Sequence, residues 1–202
     1  MVSGKYRFSE KYKSIMDKLK KLCFFARYLS EKELIIGSEG NISIRDKEGF
    51  WITPSNKIKE LLDPKDISFV NWKGIFIKGN PSSEWGMHWK IYLKNPSAQS
   101  IIHTHPIYVL LLDFLGFDFD SFVLSEAKLI LNKVKVLPYL RPGSEELWDR
   151  VADFCESYKV IILSKHGVVS WGKNLEEAAN LTLILEKICK IEYLIKILED
   201  KK

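Results

Sequence analysis

The stretch QSIIHTHPIYVLL, residues 99 to 111, decides how the fold is interpreted, because an apolar run ends abruptly in two histidines and a proline. Its first half has the short apolar pattern of a buried β-strand. Its second half begins a helix with Pro106 in the first turn, where a missing N–H is tolerated. Because side chains two residues apart on a strand share a face, His103 and His105 are expected to project together, with Thr104 on the opposite face.

A second apolar strand ends in the same way, in KVIILSKHGVVSWG, where His166 and Gly167 precede a further strand. If the two strands are neighbours in the sheet, three imidazoles meet at their ends. Three protein ligands with an open position are typical of a catalytic zinc site. The alternative is that His103 and His105 are half-exposed polar residues at a strand end. The fourth histidine, His88, lies four residues after Glu84 in a predicted helix and is interpreted as a core or supporting residue.

The surrounding sequence predicts one α/β domain over residues 1–202, with a largely antiparallel sheet covered by helices. Ile42 and Ile44 alternate with polar residues before a turn at 46–49, which predicts a β-hairpin, and a second hairpin is predicted around 71–74. A further strand is predicted at KVKVLPYL. Helices are predicted at 9–30, 83–95, 106–116 and 143–158, and from Asn174, with a capping box to Glu177, to about Leu198.

Composition excludes several classes of protein. The 202 residues are 46% hydrophobic, enough for one sizeable core, and the net charge of +5 comes from scattered lysines rather than from the basic face of a nucleic-acid-binding protein. No apolar run approaches membrane-spanning length. The three cysteines are far apart in helical apolar patterns, which predicts buried thiols without disulfides. We therefore expect a soluble cytoplasmic protein with no nucleic-acid or membrane partner.

Three short polar segments, GSEGN (37–41), TPSN (53–56) and PSSE (81–84), are rich in glycine, serine and asparagine. Each alone is explained by ordinary turn and capping chemistry. Together with a metal site they suggest a phosphate cradle, because glycine lets backbone amides approach an anion and a helix N-terminus favours one. Glu84 would bring a carboxylate to the same place, either as a partner of the helix dipole or as a general acid/base.

The ordered motifs GSEGNISIR, ITPSN, NPSSEWGMH, IIHTHP, LPYLRPGSEEL and HGVVSWG resemble the class II aldolase/adducin-head family from about Gly37 to the final helix. The glutamate of PSSE is similar to the L-fuculose-1-phosphate aldolase branch, since the related ribulose-phosphate 4-epimerases typically carry aspartate there. The resemblance implies a three-layer α/β/α fold with a largely antiparallel central sheet. It also implies a homotetramer, usually fourfold-symmetric, with sites between subunits.

The resemblance further implies a lyase that cleaves a sugar phosphate, a ketose 1-phosphate similar to L-fuculose 1-phosphate, into dihydroxyacetone phosphate and a short aldehyde. One Zn²⁺ per chain would be held by His103, His105, His166 and Glu84, with Glu84 also the catalytic acid/base. The positions that match phosphate-binding residues are Gly40, Asn41, Ser55, Asn56, Ser82 and Ser83. A retro-aldol cleavage must stabilise an enediolate, and a cation held by neutral imidazoles keeps the charge to do so without a Schiff-base lysine.

The sequence departs from the family in two places. Asn56 stands where the family often has glycine, and no tyrosine clearly matches the family's proton donor from the neighbouring subunit. Tyr139 is interpreted as a core residue rather than as that donor. Two alternatives stay open: a sugar-phosphate epimerase or methylthioribulose-phosphate dehydratase on the same scaffold, and a non-catalytic interaction module as in the adducin heads. Mn²⁺, Fe²⁺ or Co²⁺ would also suit the predicted ligands.

Overall fold

The computed structural model describes residues 3–125 and 127–199, and that part of the chain contains five α-helices and eight β-strands. The helices are α1 (Ser3–Glu31), α2 (Trp85–Lys94), α3 (Ile107–Phe114), α4 (Glu145–Phe154) and α5 (Leu175–Glu199). The strands are β1 (Asn41–Arg45), β2 (Gly49–Ile52), β3 (Ser68–Asn71), β4 (Phe76–Lys78), β5 (Ser100–Thr104), β6 (Val134–Leu137), β7 (Val160–Leu163) and β8 (Gly167–Gly172).

All eight strands form one sheet in the order β4-β3-β2-β1-β5-β8-β7-β6. Every neighbouring pair is antiparallel except β6 and β7, which are parallel and are connected through α4. Parallel neighbours need such a crossover, whereas antiparallel neighbours can be joined by tight turns. The prediction of a largely antiparallel central sheet is therefore confirmed.

Helices cover both faces of the sheet. Consecutive residues of the central strands point to opposite faces, so each face has apolar side chains for the helices to pack against. On β5, Ile101 packs into a core with Met87 of α2 and Val151 of α4. The next residue, Ile102, packs on the other face against α1, in a core that includes Leu22. A third core on that second face joins α3 and α5 to β7 and β8. The predicted three-layer α/β/α arrangement is confirmed.

The predicted helices and hairpins are present with shifted ends. α1 begins at Ser3 rather than at residue 9, and α2 begins at Trp85, which leaves Glu84 at its N-cap. Only half of the predicted capping box at α5 forms: the Glu177 N–H donates to Asn174 Oδ1 at 2.8 Å, but the Glu177 carboxylate accepts from the Lys173 N–H instead of the Asn174 N–H. The bounds predicted for a single domain, residues 1–202, stay a prediction.

The three cysteines are buried and unpaired, as predicted. Among the described residues, none of the helices combines the length and the apolar character needed to cross a bilayer.

Candidate active site

The three predicted histidines come together because β5 and β8 are hydrogen-bonded neighbours. His103 is the fourth residue of β5, in which all five residues are buried, His105 follows just after the strand, and His166 lies in the turn before β8. The ring centroids of His103 and His105 are 4.8 Å apart, those of His103 and His166 4.8 Å, and those of His105 and His166 5.3 Å. Thr104 points to the other face of the sheet, as predicted, where its hydroxyl lies 2.8 Å from that of Thr182.

Gly167 makes this close approach possible. A Cβ atom at this position would lie 2.4 Å from the Thr104 carbonyl oxygen, 2.7 Å from His105 Cδ2 and 3.0 Å from His103 Cε1. Any side chain would therefore push the imidazoles or the neighbouring strand away. The glycine after His166 is a packing requirement of the histidine cluster.

Two of the imidazoles are oriented by hydrogen bonds on the side away from the cluster. His103 Nδ1 donates to the carbonyl of Val168 at 3.0 Å, and His105 Nδ1 donates to the carboxylate of Glu39 at 2.9 Å. These bonds leave both Nε2 atoms facing inward, 3.1 Å apart. Metal-binding histidines are commonly fixed in this way, with the outer nitrogen bonded to a carbonyl or carboxylate.

Glu84 brings a buried carboxylate against the same cluster, and only 6% of the residue is exposed. Its Oε2 lies 3.0 Å from His103 Nε2 and accepts a hydrogen bond from Asn41 Nδ2 at 3.2 Å. Its Oε1 lies 3.6 Å from His166 Nε2 and has no hydrogen-bond partner among the described residues. Oε1 is therefore a buried acceptor that is free to bind a ligand or a proton.

The charges of the cluster are strongly coupled. Burial alone would raise the pKa of Glu84, but the adjacent His103 and His166 hold that pKa well below its usual value. Burial disfavours a charge on His103, yet the Glu84 carboxylate outweighs it and raises the pKa of this imidazole. Burial and the charge of His103 lower the pKa of His105 and bring that of His166 to about 4. Among the three imidazoles, His103 is thus the one whose protonated form the site favours most, because it lies beside the Glu84 carboxylate.

These residues fit a divalent cation. Each of the three histidines offers one ligand atom, and these atoms lie within 4.8 Å of one another. A cation bound by these nitrogens would face the Glu84 carboxylate, whose Oε1 has no hydrogen-bond partner among the described residues. His103, His105, His166 and Glu84 are the residues that would hold it. Imidazole nitrogens with one carboxylate are ligands that zinc and several other divalent metals accept.

The cluster opens into a cavity of about 370 Å³ lined by all three polar loops. The six residues that match phosphate-binding positions all line it: Gly40, Asn41, Ser55, Asn56, Ser82 and Ser83. His105, His166 and Glu84 line it too, whereas His103 is fully buried. The loops and the cluster predicted separately from sequence thus share one cavity.

The loops are held by a small number of long-range hydrogen bonds. The Ser55 N–H donates to the Asn80 carbonyl at 3.0 Å, and the Ser82 N–H donates to the Thr53 carbonyl at 3.2 Å, which joins loops 53–56 and 81–84. Lys59 is almost fully buried and ties down loop 37–41. Its N–H donates to the Gly37 carbonyl at 2.8 Å and its Nζ to the Ser38 carbonyl at 2.7 Å.

The structure also changes the interpretation of some residues. Asn56 has a φ of 56°, in the left-handed region where glycine is most common and asparagine is tolerated. Asparagine at this position therefore keeps accessible the backbone conformation that a glycine would also allow. The core position expected for Tyr139 is wrong, because 57% of this residue is exposed.

Sequence reasoning missed the roles of Glu39 and Lys59. Glu39 stands out in hindsight as the one acidic residue in the glycine-rich segment 37–41, next to predicted metal ligands. Lys59 carries no such signal, because one lysine among many scattered lysines cannot be distinguished as buried. Pro142 and Gly143, which also line the cavity, belong to the segment LPYLRPGSEEL, for which the sequence predicts no separate role.

Comparison with known proteins agrees with this geometry. The Class II Aldolase and Adducin N-terminal domain family matches residues 20–193. An L-fuculose phosphate aldolase of Methanococcus maripaludis is 36% identical over 83% of this chain and 91% of its own length. A 3-oxo-tetronate 4-phosphate decarboxylase of Pectobacterium atrosepticum is 36% identical over 82% of this chain and 78% of its own. The crystal structure of L-fuculose-1-phosphate aldolase from Thermus thermophilus superposes with a TM-score of 0.81 at 25% identity, covering 93% and 97% of the two chains.

Proposed function

The chain belongs to the class II aldolase and adducin N-terminal domain family, and we propose that it is a zinc-dependent lyase that cleaves a ketose 1-phosphate similar to L-fuculose 1-phosphate. The products would be dihydroxyacetone phosphate and a short aldehyde. The observation that carries this proposal is the single cavity in which three imidazoles and Glu84 face three polar loops.

The two sides of the cavity suit the two ends of such a substrate. The hydroxyl groups of Ser55, Ser82 and Ser83 and the backbone N–H of Ser83 offer neutral donors for a phosphate. Ser82 and Ser83 precede the N-cap of α2, whose N-terminus favours an anion. Glu84, one residue further on, faces the histidines instead. A substrate phosphate on the loops would thus place the adjoining carbons beside the carboxylate.

Glu84 supplies the proton chemistry in this proposal. It is ionised at neutral pH because its pKa is held low, and its Oε1 has no hydrogen-bond partner among the described residues. When the carbon–carbon bond breaks, the substrate hydroxyl on the aldehyde side releases one proton. Oε1 is the atom that would take up a proton and deliver it to the carbon of the three-carbon fragment, which balances that release. A divalent cation held by His103, His105 and His166 would supply Lewis-acid stabilisation of the negative charge that cleavage leaves on that fragment.

Zinc, one ion per chain, is the cation proposed, since three nitrogen ligands with an open position favour it. A homotetramer and a cytoplasmic location, both expected from the sequence and the family resemblance, stay predictions.

The test is an assay of dihydroxyacetone phosphate release from L-fuculose 1-phosphate by the zinc-loaded protein. We expect release that is lost after chelation and restored by Zn²⁺. Glu84→Gln should retain zinc but lower kcat by about 10²–10⁴-fold, the usual contribution of a positioned acid/base. Full activity in metal-stripped protein would contradict the proposal, and so would an active Glu84→Gln variant.

A second candidate is decarboxylation of a 3-oxo sugar-acid phosphate, because the Pectobacterium decarboxylase is as similar in identity as the methanococcal aldolase. The same cavity could bind the phosphate and stabilise the charge left after loss of CO₂. Carbon dioxide release from 3-oxo-tetronate 4-phosphate, without any cleavage of L-fuculose 1-phosphate, would favour this candidate. An isomerised or dehydrated product would instead indicate the epimerase or dehydratase alternatives.

A further inference from the structure

Behind Glu84, four buried polar side chains form a continuous line of hydrogen bonds, which we call the polar chain: Tyr92, Ser43, His88 and Asn41. All are at most 3% exposed. Tyr92 Oη lies 2.7 Å from Ser43 Oγ, and Ser43 Oγ lies 2.7 Å from His88 Nδ1. His88 Nε2 lies 2.5 Å from Asn41 Oδ1, and Asn41 Nδ2 donates to Glu84 Oε2 at 3.2 Å. The polar chain thus ends on the carboxylate proposed as the acid/base.

The charge of Glu84 fixes the direction of every bond in the polar chain. An ionised carboxylate only accepts hydrogen bonds, so Asn41 must present its NH₂ group to Glu84 and its carbonyl oxygen to His88. His88 must then donate from Nε2, which leaves Nδ1 as an acceptor. Ser43 must therefore donate to Nδ1 and accept from the Tyr92 hydroxyl. The opposite histidine tautomer would turn the amide and set two acceptors, Asn41 Oδ1 and Glu84 Oε2, against each other.

The ionisation states of the polar chain agree with this direction. Burial lowers the pKa of His88 to about 3, so the ring is neutral and has one donor and one acceptor nitrogen. Burial also raises the pKa of Tyr92, so its hydroxyl keeps the proton that it donates. No member of the polar chain has to change its charge for all four bonds to form.

We propose that Ser43, His88 and Tyr92 are positioning residues that hold the Asn41 amide with its NH₂ group towards Glu84. One N–H of the Asn41 amide then serves the carboxylate, and the second N–H of the same group stays available to the cavity that Asn41 lines. The functional consequence rests on the proposed function, because it matters to catalysis only if Glu84 is the reacting group. The bond directions do not depend on activity and can be measured separately.

The first experiment measures imidazole ¹⁵N chemical shifts in zinc-loaded protein labelled at histidine, with His88 assigned by substitution. We expect a neutral His88 at pH 7 with the proton on Nε2. In Glu84→Gln the carboxylate constraint is removed, because a neutral amide can donate as well as accept, and the Nδ1–H tautomer should become populated. A wild-type His88 with the proton on Nδ1, or a tautomer ratio that is the same in both proteins, would overturn the proposal.

The second experiment measures dihydroxyacetone phosphate release from L-fuculose 1-phosphate by Ser43→Ala and Tyr92→Phe. Both variants should lower kcat by roughly fivefold to tenfold, the effect of one buried hydrogen bond, with KM within about twofold. The matched control is Thr182→Val, which removes the buried Thr104–Thr182 hydroxyl pair on the opposite face of β5 and should leave both constants unchanged.

A raised KM with unchanged kcat would mean that the polar chain serves phosphate binding, and it would overturn the assignment to Glu84. If the wild-type protein releases no dihydroxyacetone phosphate, the proposed function fails, and the histidine tautomer in wild type and Glu84→Gln alone decides the inference.

Discussion

The histidine side and the loop side of the cavity are built by different means. The histidine side, His103, His105 and His166, is fixed by the pairing of β5 with β8, in which five consecutive residue pairs are in register. The loop side, segments 37–41, 53–56 and 81–84, has little regular pairing: Asn41 begins β1 and pairs with His103, and Pro54 and Pro81 form one isolated bridge. It depends instead on single long-range hydrogen bonds and on left-handed backbone at positions such as Gly40 and Asn56.

This difference teaches which parts of the site tolerate change. A sheet transmits a local displacement to its neighbours because the interior is close-packed, so the histidine side should respond to one added methyl group. A loop held by separate bonds can lose one of them and keep the others. We therefore expect changes on the histidine side to abolish metal binding, and changes on the loop side to shift substrate affinity by smaller factors.

The largest effect is expected for Gly167→Ala. The new Cβ would lie 2.4 Å from the Thr104 carbonyl oxygen and would collide with the rings of His105 and His103. Such overpacking costs about 1–3 kcal/mol of folding free energy. Displacing the imidazoles should weaken zinc binding by at least about 100-fold, the upper range for disturbing groups that orient metal ligands. Isothermal titration with Zn²⁺ and urea unfolding measure the two effects.

Gly116→Ala is the matched control for a glycine-to-alanine change. Gly116 has a φ of 68°, and an added Cβ would meet no atom within 4 Å. The Gly116→Ala variant should therefore lose about 1–2 kcal/mol of unfolding free energy through left-handed backbone strain, while its zinc affinity stays that of the wild type. Equal zinc affinities in Gly167→Ala and wild type would show that the histidine side is not rigid.

The contrast between regular strand pairing and single long-range hydrogen bonds also decides which parts of the site could be predicted from the sequence. The positions of His103, His105 and His166 follow from strand periodicity, because a period of two and an apolar run are visible in a single segment. Their meeting required only that two apolar strands be neighbours, as β5 and β8 are. The antiparallel hairpins were equally accessible, because their turn residues lie beside the strands that they connect.

The supporting contacts could not be predicted, because they join segments that are distant in the chain. The bond from Lys59 to Ser38 and the bond from His105 to Glu39 depend on how two loops meet in space. The capping box at α5 forms only in part, because the Glu177 carboxylate accepts from the Lys173 N–H and also contacts Lys159 of another segment at 2.6 Å. Tyr139 is exposed although a core position was expected, because an aromatic ring does not by itself determine burial.

A smaller effect is expected for Lys59→Met, which keeps the length of the side chain and removes the Nζ bonds to the Ser38 and Lys57 carbonyls. Loop 37–41 loses one of its two bonds to Lys59 but keeps the backbone bond at Gly37. We expect KM for L-fuculose 1-phosphate to rise roughly fivefold to tenfold, as for one lost hydrogen bond, with zinc affinity within about threefold. A loss of zinc equal to that in Gly167→Ala would break the separation of the two sides.

The pH dependence of stability provides an independent check on Lys59. Burial lowers the pKa of its amine from 10.5 to about 8 in the folded protein. Between these values the unfolded chain binds more protons than the folded one, so this residue makes the unfolding free energy rise with pH over that interval. Lys59→Met lacks the group, and the stability difference, wild type minus variant, should therefore increase between pH 8 and 10. A constant difference in urea unfolding would show that the amine keeps an ordinary pKa.

The smallest effect is expected at Asn56, whose φ of 56° is the property that the loop needs. Asn56→Gly keeps this conformation accessible, so the unfolding free energy should change by less than about 1 kcal/mol and KM by less than about threefold. Asn56→Ala has no comparable tolerance for the left-handed region and should cost about 1–2 kcal/mol. Urea unfolding and steady-state kinetics on both variants distinguish the role of the backbone from that of the side chain. If Asn56→Gly stays stable but fails to bind substrate, the Asn56 side-chain amide itself contacts the phosphate. The loop side would then depend on its side chains as strictly as the histidine side does.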